Sequence, residues 1–165
     1  MPRRQTSSKV TCRQRAVCSS SSFKVNNVIV GICYGFEIMK QFESPNVPFT
    51  LLLKRFETPP KVVVYDHACH LQAYCLNREP EVFKNTKFFI DRLYWPNHTA
   101  CSVGYKLDGY TKFKGMNSQV AEQRNSSLNR IKVQFSYMGQ ENVLRYCRFF
   151  LWGQNIIKQV TSNDR

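Results

Sequence analysis

The stretch KVVVYD, residues 61 to 66, limits the fold more than any other part of this 165-residue chain. Three valines and a tyrosine in a row favour extended backbone. Because they are apolar on both faces, they read as a central strand with a layer on each side. A second apolar run, TKFFID at residues 86 to 91, again stops at an aspartate. Between the two lies HACHLQAYCLNREPEVF, whose apolar spacing is helical. That helix should end near Arg78, because Pro80 disfavours helix in the residue before it.

The flanking segments extend the alternation. FKVNNVIVGICYGFEIM offers one or two strands, with Gly31 and Gly35 as bends or close approaches. ESPNVPFTLLLKRF reads as a helix with Ser44 at the N-cap and Pro45 at the first helical position. After TKFFIDRLYW comes a loop, PNHTACSVGYKLDGYTKFKG. NSQVAEQRNSSLNRIKVQF then reads as one helix, with Val120, Leu128, Ile131 and Phe135 on one stripe and Glu122 opposite. ENVLRYCRFFLWGQN closes the domain, its stripe running Val143, Leu144, Cys147, Phe150, Leu151. Strands alternating with helices point to an α/β three-layer domain rather than a bundle. The expected bounds are a disordered basic arm at 1–22, the domain at 23–158 and a tail at 159–165.

A net charge of +13 calls for a polyanionic partner, DNA or RNA before an anionic membrane. No apolar run approaches the roughly 18 residues of a membrane span. The basic, polar amino terminus has no apolar core of a secretory signal. Seven cysteines, odd in number and scattered, fit reduced thiols in the cytosol or nucleus. Nucleic acid is therefore the expected partner. The candidate phosphate contacts are Arg3, Arg4, Arg13 and Arg15 in the arm, with Arg124, Arg130 and Lys132 farther on.

Two kinds of site are conceivable. Phosphoryl transfer on DNA by two divalent cations needs converging carboxylates, since hard cations take oxygen ligands. Asp66 at a strand end and Glu122 early in a later helix suit that plan. Asp66 also suits the plainer role of capping the next helix, and Glu122 that of a solvated helix residue. The second site is soft. His98-x-x-Cys101, with Cys69 and either His67 or His70, supplies the thiolate and imidazole ligands of zinc from two short segments. Cys75 and Cys147 fall on apolar stripes and read as small core residues. There is no glycine-rich phosphate loop and no serine nucleophile elbow.

Several segments together resemble the catalytic domain of Kyakuja–Dileera–Zisupton (KDZ) transposases, over roughly residues 29 to 155. The resemblance rests on YDxAC, NREP, F-x-x-DR-x-x-W-x-NH-x-x-CS and NSQ-x-x-EQ-N, in family order and spacing. It implies a ribonuclease H-like fold with an Asp-Asp-Glu site for Mg²⁺ or Mn²⁺, in which Asp66 matches the second acid and Glu122 the third. Two departures follow. The first acid should lie on the opening strand, yet no Asp precedes Asp66; Glu37, Glu43 and Glu57 are the carboxylates there. The family usually carries a His two residues before the Trp, where this chain has Tyr94 or its neighbour. The resemblance therefore implies an incomplete, inactive remnant of a transposase domain, with DNA as its partner and the nucleus as its location. Its alternatives are a host-adopted DNA-binding module and a zinc-stabilised protein-interaction domain.

Overall fold

Two apolar strands lie parallel, as a helical crossover between them requires. β1 is Val62–Tyr65 and β2 is Lys87–Ile90. Val63 pairs with Phe88 and Val64 with Phe89. The structure, a computed structural model, describes residues 32–33, 35–36 and 44–163, except the side chains at 121, 122, 124, 125, 129, 132, 162 and 163. Most of the candidate strand region before residue 44 therefore lies outside the described residues, as do the arm and its Arg3, Arg4, Arg13 and Arg15.

Strand alternation divides the sheet into two apolar faces. Val63, Phe88 and Ile90 point to a core that contains Phe49, Leu52, Ala68, Leu71, Cys75 and Phe83. Phe89 points the other way with Val62 and Val64, onto Leu107, Met116 and Phe113. Both faces are covered, so the two-sided reading of KVVVYD holds. The protein is α/β in class, with this two-stranded parallel sheet among the described residues.

The first face is covered by α1 (Asn46–Arg55) and α2 (Ala68–Arg78). The start of α1 differs slightly from expectation. Pro45 takes the N-cap position, and the Ser44 hydroxyl accepts the Asn46 N–H from one residue farther out. α2 ends at Arg78 as Pro80 dictates, but Pro80 then opens a one-turn helix of its own, α3 (Pro80–Phe83), which buries Phe83. Gly35 lies close to α1: a Cβ there would come 3.1 Å from the Arg55 side chain. The loop after β2 is ordered as four successive 3₁₀ turns between Trp95 and Phe113. They end at Gly115, whose φ of 82° suits a residue without a Cβ.

A separate core belongs to the carboxyl-terminal helices. The single helix expected over 117–135 is two, α4 (Val120–Asn129) and α5 (Lys132–Phe135). Asn, Ser and Ser at 125–127 are weak helix formers. The break between the helices lets Leu128 and Phe135 both reach α6. α6 spans Gln140–Asn163 and continues through residues 159–163, the stretch expected as a tail. Val143, Cys147 and Leu151 are its buried stripe. Asn155 of α6 grips the backbone of Cys33, accepting its N–H at 2.9 Å and donating to its carbonyl at 2.8 Å. Among the described residues no helix is long and apolar enough to cross a membrane.

Candidate metal centre

The turn from β1 into α2 holds three groups of different character within four residues. Asp66 is buried, and its Oδ1 accepts the His67 N–H at 3.0 Å. It therefore fixes the residue at the N-cap of α2 rather than capping a first-turn N–H itself. Cys69 is the second residue of α2.

The second half of the centre comes from the loop after β2. Trp95–Asn97 form a 3₁₀ turn that His98 closes. The Cys101 N–H then donates to the His98 carbonyl at 3.1 Å, which folds the H-x-x-C segment into a tight turn. The three side chains meet. Cys69 Sγ lies 3.9 Å from His98 Nδ1, His98 Nδ1 lies 3.4 Å from Cys101 Sγ, and the two sulfurs are 3.5 Å apart. A tetrahedral zinc ion with ordinary bond lengths requires S···S of roughly 3.8 Å and S···N of roughly 3.5 Å. The observed triangle matches this within a few tenths of an ångström. All three residues are half-buried, and together they form a group able to hold a metal ion.

Electrostatics in the group follow from its two thiols. The Cys101 thiol is raised above its ordinary range, first by its hydrogen bond to Cys69, then by burial and by the Cys69 charge. Tyr105 packs nearby, and burial first, then the two thiols, push its phenol up. Cys75, wholly buried, is pushed up to about 12 by burial, as a core thiol should be.

The carboxylates are distributed differently. Asp66 and Asp91 sit side by side at the carboxyl ends of the parallel strands, joined where the Asp91 N–H meets the Tyr65 carbonyl. Asp91 is buried; its Oδ1 accepts the Leu93 N–H at 2.8 Å and the Ser118 hydroxyl at 3.3 Å. These two bonds fix the turn that follows β2. Arg92 turns away to Asp108 and to the carbonyls of Phe113 and Met116. The side chains of Glu122 and Arg124 on α4 and of Lys132 on α5 lie outside the described residues. Arg130 is exposed at the end of α4.

Sequence reasoning missed the Arg92 clamp, for which the sequence holds no local signal. Compared with models of known protein families, with curated proteins and with solved structures, the chain matches none.

Proposed function

We propose that this chain is a zinc-knit, ribonuclease H-like module related to KDZ transposase catalytic domains, which holds DNA without cutting it. The observation that carries the reading is the triangle of Cys69, His98 and Cys101, whose spacing suits a tetrahedral zinc ion. Zinc there ties the first turn of α2 to the loop after β2 and needs no reacting substrate. The DNA partner rests on the net charge of +13 and on the KDZ resemblance. The resemblance matches Asp66 and Glu122 to the second and third acids of a Mg²⁺ or Mn²⁺ site and matches no residue of this sequence to the first.

The test has three parts on the purified chain. Metal analysis should find about one zinc per chain. Binding to duplex DNA should weaken steeply with salt and be indifferent to Mg²⁺. Supercoiled DNA with Mg²⁺ or Mn²⁺ should stay intact. Cleavage that disappears in Asp66→Ala would show a working nuclease instead, and zinc content without DNA affinity would favour a protein-interaction domain.

A further inference from the structure

Three protein ligands leave a zinc ion one short of the four that structural sites require. Two histidines on the β1–α2 segment are candidates for the fourth place, His67 and His70. The geometry points to His67, an inference that rests on the zinc reading above.

Of the two rings, His67 is the one that meets His98, edge to face, with centroids 5.6 Å apart. His70 instead stacks flat on the outer side of His67, at 5.9 Å and an interplanar angle of 9°. The order of rings is thus His98, His67, His70, with the metal group at the His98 end. His67 precedes Cys69 by two residues, so its main chain is fixed beside the thiol by the same turn. Its own N–H is anchored on Asp66, which leaves the imidazole as the part able to move. His67 is exposed, and it is not among the residues whose ligand atoms already lie within 4.8 Å of one another. Turning an exposed side chain about two bonds costs far less than an imidazole–zinc bond returns. His70 then serves as the stacking neighbour that limits the orientation of the His67 ring. The ligand set becomes His67-x-Cys69 and His98-x-x-Cys101, two nitrogens and two sulfurs from two short segments.

Cobalt(II) in place of zinc reads this directly, because its visible spectrum reports coordination number and ligand type. The full-length chain should bind one Co²⁺ with the intense absorption of a four-coordinate site. His67→Ala should lower zinc affinity at least tenfold against a competing chelator and weaken the visible bands, as water enters the fourth place. His70→Ala should cost less affinity than His67→Ala and leave the four-coordinate spectrum in place, because a stacking neighbour orients the ring without ligating the metal. His67→Cys should restore the four-coordinate spectrum and add thiolate-to-cobalt absorption. Unchanged affinity and spectrum in His67→Ala overturn the assignment, and so does a loss that appears in His70→Ala instead. A parent chain that binds no Co²⁺ or zinc overturns the three-ligand site itself, a result distinct from either.

Discussion

Arg92→Ala should be among the most destabilising single changes outside the apolar cores. One guanidinium holds three acceptors on the loop before α4: the Asp108 carboxylate and the carbonyls of Phe113 and Met116. The side chain is about a quarter exposed, so water replaces little of this in the folded state. Each charge-assisted bond to a carbonyl contributes about 1.5 kcal/mol at the low end of the usual range. Asp108 is half exposed, and its pairing adds less than about 1 kcal/mol. The expected loss is therefore about 3 kcal/mol, or roughly 1–2 M in the urea midpoint for an ordinary denaturant slope. Arg92→Lys should recover no more than about 1 kcal/mol, because a compact ammonium cannot span three acceptors. A double-mutant cycle with Asp108→Asn should give a coupling below about 1 kcal/mol. If Arg92→Lys melts like the parent, charge rather than the fork matters and the reasoning fails. It also fails if Arg92→Ala costs less than about 1 kcal/mol.

Three further outcomes are expected. The folded Cys75 thiol, pushed up to about 12, keeps its proton where an unfolded thiol near 9.0 loses it. This contribution is whole below pH 9 and falls by up to ~1.4 kcal/mol per pH unit as pH rises toward 12, so Cys75→Ala should flatten the alkaline limb of a stability–pH curve. Asn155→Ala removes both bonds to the Cys33 backbone and should cost about 2 kcal/mol locally, seen as faster hydrogen exchange of the Cys33 amide; an unchanged rate refutes it. Deleting residues 1–22 should reduce the salt slope of DNA binding by roughly 0.9 for each arginine or lysine that meets a phosphate, with no change in sequence preference. An identical slope would remove the arm from the interface.

What could be read in the sequence was what depends on neighbours along the chain. KVVVYD and KFFI are too apolar on both faces to be anything but covered strands, and both cores duly contact them. Pro80 set the end of α2 to the residue. The ligand types of the metal group were legible too, because H-x-x-C is a local pattern. Cys69 could be named as the partner of that pair although it lies 32 residues from Cys101, but the choice between His67 and His70 could not be made, because the two segments meet only after β2 has paired. Arg92 shows the limit most clearly. Asp91 is its nearest carboxylate in sequence, yet Asp91 turns to Leu93 and Ser118 while Arg92 reaches the far side of the loop. The stripe over 117–135 was read correctly as apolar, but its residues sit on two helices, because packing on α6 outweighs the continuity of a weakly helical segment.

The metal group also answers a problem that the sheet creates. Among the described residues the sheet has two strands of four residues, and their carboxyl ends carry two buried aspartates side by side. Burying two carboxyl groups at that point weakens the strand ends unless something outside the ladder holds them. Asp91 is tied to Ser118, and Asp66 to the start of α2. A zinc clip between Cys69 and Cys101 would bind those same two chain segments three and ten residues beyond the aspartates. Cross-linking a loop of that length lowers the entropy of the unfolded chain by the equivalent of about 4 kcal/mol when the link is covalent. A stable metal bond approaches the same limit. Such a clip would sit just beyond the ends of β1 and β2. Stripping the metal should accordingly loosen β1, β2 and the first turn of α2 together, while the Leu128–Phe135–Cys147 core, built on other helices, keeps its exchange protection.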